Sequence, residues 1–171
     1  MSASLKSLMP KVIEWRHDIH QYPELGNREF RTSKKIEEHL VSLGIEVETK
    51  IAYTGLVGLI KGGKPGPTIA LRADMDALPV EEKTGLPYAS SVKAKNKDNI
   101  EVPVMHACGH DMHMAVAVGT AKKMIESREN WSGTLIVIFQ PAEEVGQGSL
   151  GMINGGLFEK FPRPDFNLAL H

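Results

Sequence analysis

Apolar positions in this chain switch between a spacing of three to four and short alternating or continuous runs, which predicts helices interleaved with strands. Val12, Ile13 and Ile19 give a helical pattern over residues 10–21, with Pro10 tolerable near its start. Ile36, Leu40 and Leu43 define a second helix that opens at Thr32 or Ser33 and stops at Gly44. Residues 45–49 alternate like a strand. Residues 56–61 and 68–73 read as two more strands, joined by the turn-rich Gly62-Gly63-Lys64-Pro65-Gly66-Pro67. Residues 80–104 are polar and weakly patterned, and a loop of that length has either a local function or little order. Met114, Val118, Ala121 and Ile125 predict a helix packed on the sheet, the methionines acting as core filler. A strand over residues 133–140, a short helix around residues 149–154 and a last strand from Phe166 to His171 complete the order. Strands mixed with helices in this way predict a three-layer α/β fold.

Composition narrows the class without deciding the function. The 171 residues suffice for one domain with a real core, and 42% hydrophobic with 24% charged residues is ordinary for a globular protein. There is no internal repeat, low-complexity tract or interdomain linker. A formal net charge of -1 gives no electrostatic case for nucleic acid or an anionic membrane, and no apolar run approaches membrane-spanning length. The first ten residues lack the apolar core of a signal peptide. The single cysteine excludes an internal disulfide and suits a reducing compartment, so a cytoplasmic location is expected.

Candidate chemistry lies where the pattern places strand ends. Met105-His106-Ala107-Cys108-Gly109-His110-Asp111-Met112-His113 gathers the one cysteine and three of the seven histidines into nine residues. Thiolate and imidazole are the side chains that bind zinc and similar divalent ions most readily. Cys108 and His110 would diverge on a helix, but a turn held by Gly109 lets both reach one ion. The plain alternative is a buried cysteine beside helix-capping histidines, and the density of the cluster argues against it. Residues 133–140 read as a central strand stopped by Pro141, which delivers Glu143 and Glu144 into the loop beyond. In open α/β sheets such loops carry ligand and catalytic groups. One carboxylate can coordinate an ion while the other accepts a proton from water that the ion acidifies. Residues 68–73 likewise deliver Asp74 and Asp76, which share a side if the chain stays extended.

These motifs, taken together and in order, resemble the aminoacylase and carboxypeptidase group of dinuclear metallohydrolases. Within it, they resemble the branch of hippurate hydrolase, bacterial N-acyl-amino-acid amidohydrolases and plant auxin-conjugate hydrolases. The resemblance runs from Arg16-His17-Asp18-Ile19-His20 and Pro23-Glu24-Leu25-Gly26, through Arg72-Ala73-Asp74-Met75-Asp76-Ala77-Leu78-Pro79, His106-Ala107-Cys108-Gly109-His110-Asp111 and Gln140-Pro141-Ala142-Glu143-Glu144, to Leu170-His171. It implies a three-layer α/β/α zinc-peptidase-like catalytic domain. It puts Cys108, His110, Glu144 and His171 on metal-ligand positions and Glu143 on the general acid/base position. It puts Asp76 where the family keeps a carboxylate that supports the metal site. Asp74 lies where sister branches place a histidine ligand, and His106, Asp111 and His113 belong to the motif without assigned roles.

The same resemblance implies one or two divalent ions, zinc or manganese first and cobalt or nickel as alternatives. It implies a small-molecule N-acyl amino acid substrate; the oligomeric state is left open, a homo-oligomeric parent being one option. Relatives of this kind insert a lid domain after the point matching His171 and add a metal-binding histidine near their C-terminus. On that expectation residues 1–171 are the N-terminal part of the catalytic domain, truncated before the lid and inactive alone. The expected reaction is hydrolysis of the amide of an N-acyl amino acid. A metal-dependent exopeptidase on short peptides and a non-catalytic metal-binding remnant are the alternatives.

Overall fold

The computed structural model describes residues 3–171. Helix α1 spans Ala3–Gln21 and α2 spans Phe30–Ser42. Strands β1 (Glu46–Ile51), β2 (Gly55–Lys61) and β3 (Lys64–Asp74) follow. A small pair, β4 (Lys93–Lys95) and β5 (Glu101–Pro103), precedes α3 (His110–Glu126). Then come β6 (Ser132–Gln140), α4 (Gly148–Asn154), α5 (Leu157–Lys160) and β7 (Phe166–Ala169). The main sheet has the order β1-β2-β6-β3-β7. Its β1–β2 and β2–β6 pairs are antiparallel, and β6–β3 and β3–β7 are parallel.

Residue alternation explains the layers. On one face Leu56, Ile60, Ala73, Leu135, Val137 and Phe139 pack beneath α1, α2 and α3, which contribute Trp15, Ile19, Ile36, Leu40, Met114 and Val118. On the other face Val57, Ala70 and Ile136 meet Met152 of α4 and Leu157 of α5. Each fully buried aliphatic side chain contributes on the order of 1.5–3 kcal/mol to this arrangement. The expected three-layer α/β/α architecture is present, with a mixed sheet. Among the described residues no helix is long and apolar enough to cross a membrane.

Two expectations need correction and a third is narrowed. The first helix begins at Ala3, well before residue 10, and carries Pro10 inside it. Proline there removes one helical hydrogen bond, but Leu8, Trp15 and Ile19 form a buried stripe on both sides of it, and packing outweighs the loss. The last strand stops at Ala169, so Leu170 and His171 lie beyond it. Residues 80–104, expected to have either a local function or little order, contain the β4–β5 pair and are tied down by polar contacts. Tyr88 stacks on His17 with ring centroids 3.7 Å apart and accepts a 3.0 Å hydrogen bond from Arg16. His20 bridges Glu82 of this segment (3.1 Å) and Asp111 of α3 (2.7 Å), and Glu82 also accepts from the Ser90 amide. The composition of the segment conceals this order because the partners are distant in sequence.

Strand β7 is an edge strand with an apolar face. Its Phe166 and Leu168 pair with Ile69 and Leu71 of β3 and so continue the face that α1 and α3 cover, yet they are 61% and 58% exposed. An unpaired apolar edge is a template for further strand pairing. The chain is therefore expected to self-associate, and replacing both Phe166 and Leu168 by Lys should shift it toward monomer in sedimentation velocity. Unchanged association in that variant would place the contact elsewhere.

Candidate metal centre

The site forms beyond the carboxyl ends of β3, β6 and β7, against the first turn of α3. Parallel pairing sets Asp74 opposite Gln140, and the Met75 amide still donates to the Gln140 carbonyl at 2.9 Å. There the two strands part, and the segments 75–79 and 141–147 open around α3. Pro141 follows β6 directly, as its missing N–H requires. Gly109 is left-handed at φ 85°, a conformation costly for other residues, and the chain turns through it from Cys108 into α3. His110 thus becomes the first helical residue and is fully buried, while Cys108 stays exposed beside it.

Asp76 connects the parts. Its backbone carbonyl accepts from His110 Nδ1 at 2.8 Å, so this nitrogen carries the proton and Nε2 is left with a free lone pair. Its carboxylate accepts the amides of Glu143 and Glu144, both at 3.0 Å. Asp74 is equally buried and is held by Arg72 Nη1 at 2.8 Å and His113 Nδ1 at 2.7 Å. Burial opposes its charge, but the His113 bond and the charges of His110 and Arg72 prevail and hold its carboxyl below the usual range. Burial likewise opposes charge on His110, but the Asp76 bond and the Asp74 charge raise its affinity for protons above the ordinary value.

The donor atoms converge in two overlapping groups. Cys108, His110 and Glu144 form one, and Asp74, His110, Glu143 and His171 form the other, with ligand atoms in each group within 4.8 Å of one another. His110 Nε2 lies 3.3 Å from Asp74, 3.7 Å from Glu144 and 3.9 Å from Glu143. His171 Nδ1 lies 3.4 Å from Glu143 and 3.6 Å from Asp74. His110 Nε2 and Glu144 Oε1 are both buried without a hydrogen-bond partner. Buried polar atoms rarely remain unpaired. Two of them face each other beside a thiol, and a mixed sulfur, nitrogen and oxygen set of this kind suits a divalent ion.

The expected residues Cys108, His110, Glu143, Glu144 and His171 thus come together, with Asp76 behind them. Asp74, whose role the motif left open, sits at the centre, and His113 secures it. His106 is not among the converging donors; it is buried without a hydrogen-bond partner, and burial lowers its pKa to about 4, so it is a neutral core imidazole. Asp111 faces away, toward Arg16 at 2.7 Å and His20. Sequence reasoning missed Glu29, a fully buried carboxyl that accepts the Ala142 amide at 2.9 Å. Its only signal was a charged residue just before a helix, which describes many exposed positions.

A three-layer domain with such donors at its strand ends defines a class, the α/β metallohydrolases, and comparison with known proteins narrows it. Residues 70–171 match the model of peptidase family M20/M25/M40, and the chain belongs to that family. It is 48% identical to thermostable carboxypeptidase 1 of Saccharolobus solfataricus over 149 residues, 85% of this chain and 36% of that protein. It is 44% identical to hippurate hydrolase of Campylobacter jejuni, over 91% of this chain and 39% of that protein. The crystal structure of the Bacillus subtilis YXEP protein, a dinuclear metal-binding peptidase from the M20 family, superposes with a TM-score of 0.85 at 38% identity, over 97% of this chain and 43% of that one. The chain therefore spans about two-fifths of the length of these relatives.

The anionic surroundings of Cys108 lead to a pH prediction. Desolvation, the hydrogen bond with Glu144, and the charges of Glu144, Glu143 and Asp74 all push the thiol above its ordinary value. A raised thiol pKa means less thiolate at any given pH. In the metal-free chain, the iodoacetamide rate profile of Cys108 is expected at higher pH than that of free cysteine. Glu144→Gln should move it back down. A profile that does not respond to Glu144→Gln would remove Glu144 from the thiol's surroundings.

Proposed function

We propose that this chain is the N-terminal part of the catalytic domain of a metal-dependent amidohydrolase that cleaves the amide of N-acyl amino acids. The observation that carries the reading is the convergence of Cys108, His110 and Glu144 at the strand ends, with two of their donor atoms buried and unpaired. Hippurate hydrolase among the relatives supports an N-acyl amino acid as substrate. In this reading Cys108, His110, Glu144 and His171 hold one or two divalent ions, with zinc or manganese the first candidates. Asp74 lines the site between His110 and His171.

Such an ion, when bound, acidifies water and polarises the carbonyl to be cleaved. Glu143 is the proton carrier. Its partly exposed carboxylate lies within 4.0 Å of Arg72 and 3.4 Å of His171. It takes a proton from water as the water oxygen attacks the acyl carbon, then returns that proton to the leaving nitrogen. Asp76 acts through its neighbours. Its two oxygens hold the amides of Glu143 and Glu144, so it fixes both side chains from behind. The carboxypeptidase relative favours a second reading, an exopeptidase on short peptides. Hydrolysis of hippurate against dipeptides, by a polypeptide of the relatives' full length, decides between the two.

Two variant series test the assignments. Cys108→Ser and His110→Ala should each bind metal much more weakly, since a hydroxyl is a poor substitute for thiolate. Undiminished metal by elemental analysis would make the cluster purely structural. In the full-length protein, Glu143→Gln should retain metal and lose roughly 10²–10⁴-fold in turnover. Glu144→Gln should lose metal as well. The opposite pattern would exchange their roles.

A further inference from the structure

Glu143 and Glu144 are neighbours in sequence, and on an extended strand their side chains would point to opposite sides. Both instead face His110 Nε2, at 3.9 and 3.7 Å. The two residues lie in a tight turn, closed by the Gly146 amide donating to the Glu143 carbonyl at 2.8 Å. Ala142, one residue before that turn, is left-handed at φ 49°, a conformation that costs energy for a residue with a Cβ, and it sets the direction in which the turn leaves β6.

Something must hold Ala142 there, and the structure places a buried carboxyl on its amide. Beyond Pro141, three successive N–H groups of this turn find no strand partner. Asp76 accepts those of Glu143 and Glu144, and Glu29 Oε1 accepts that of Ala142. The other Glu29 oxygen accepts from Thr54 Oγ1 at 2.5 Å, which anchors the carboxyl to the turn between β1 and β2. Burial pushes the Glu29 carboxyl above the usual range against the pull of both bonds. The flanking residues complete the cradle. A Cβ on Gly26 would lie 3.2 Å from both Ala142 Cα and Asp76 Oδ2, and Asn27 Nδ2 donates to Gln147 Oε1 at 3.0 Å. The segment before α2 therefore holds the 142–147 turn at both its ends.

We infer that Glu29 is a positioning residue for the metal centre: through the Ala142 amide it holds the left-handed entry to the turn and so aims Glu143 and Glu144 together at His110. The inference rests on the metal-site reading above. Removing the acceptor lets Ala142 relax toward an extended conformation, and the turn that carries both carboxylates is then no longer aimed at His110. A glutamine at this position can still accept from Ala142 with its carbonyl while its amide group donates to Thr54 Oγ1, so the turn survives.

Cobalt(II) titration of the 171-residue chain tests this, read by thiolate-to-cobalt absorption in the near ultraviolet and by the visible ligand-field bands. The unmodified chain should show both. Absence of the thiolate band there would overturn the metal-site reading itself, independently of Glu29. Given that band, Glu29→Ala should bind cobalt roughly 10–100-fold more weakly, as loss of a supporting group typically does. Its thiolate band should remain while the ligand-field bands change. Glu29→Gln should restore affinity to within a few-fold. Equal binding by all three proteins overturns the inference, and so does equal weakening by Ala and Gln, which would make the charge and not the hydrogen bond responsible. Should circular dichroism show that Glu29→Ala does not fold, Glu29→Asp, one methylene short of Ala142, takes its place with the same expectation.

Discussion

The carboxylate of Asp76 and its own backbone carbonyl bind two different parts of the site at once. The carbonyl fixes the ring of His110, and the carboxylate fixes the backbone of Glu143 and Glu144. Three segments distant in sequence therefore meet at one residue that is almost fully buried. Hydrogen bonds to a charged acceptor are stronger than neutral ones, and leaving such an acceptor or its donors buried and unpaired is costly. The strand ends can diverge, as a site between them requires, because this residue replaces the sheet hydrogen bonds they give up. The parallel pairing of β3 with β6 brings Asp74 level with Gln140 and so puts Asp76 within reach of the loop after Pro141.

The same region concentrates negative charge. Asp74, Asp76, Glu29, Glu143 and Glu144 lie close together, and the raised thiol of Cys108 and the raised imidazole of His110 register their field. Arg72 and His113 offset part of it at Asp74. Like charges gathered at low dielectric destabilise a fold unless the surrounding packing holds them. Here the core on the α1, α2 and α3 face supplies that rigidity, with Phe139, Met75 and Met114 fully buried next to the strand ends. A divalent cation would neutralise what the protein cannot, which is why the donor set and the charge excess have one explanation.

Much of this was legible in the sequence because it is local. Residues 133–140 announce a strand by composition, Pro141 ends it, and the carboxylates follow immediately. Gly44 stops α2 and Gly109 turns the chain into α3 for reasons that single residues carry. The failures were not local. Pro10 looked like a helix start because its effect on hydrogen bonding is visible in sequence and the packing of Leu8 against α3 is not. For residues 80–104 the sequence leaves local function and low order both open, because Glu82 and Tyr88 find their partners on α1, more than sixty residues away. Asp74 and Asp76 have the same residue type and similar flanks, and only the register of β3 against β6 gives one to the donor group and the other to the backbone behind it. Glu29 was invisible for a related reason: the Ala142 amide that it meets is 113 residues distant.

The donors are not held with equal firmness. His110 and Glu144 are fixed through Asp76 from a buried position, and Cys108 is placed by the Gly109 turn. His171 is exposed, beyond the end of β7, and its approach depends on Arg72. That guanidinium donates to Gln140 at 2.9 Å, to Asp74 at 2.8 Å and to the Leu170 carbonyl at 3.2 Å, so it joins the ends of β6, β3 and β7. Of these acceptors Asp74 carries a charge, and its depressed pKa keeps that charge in place. The position of His171 is thus set indirectly, by a cation whose main partner is a carboxylate of the site. Any change at Asp74 is transmitted along Arg72 to the backbone beside His171, whereas Asp76 braces His110, Glu143 and Glu144, which between them serve both donor groups. The two donor groups therefore rest on a common core of His110, Glu143 and Glu144 braced by Asp76, to which His171 is tied through Arg72.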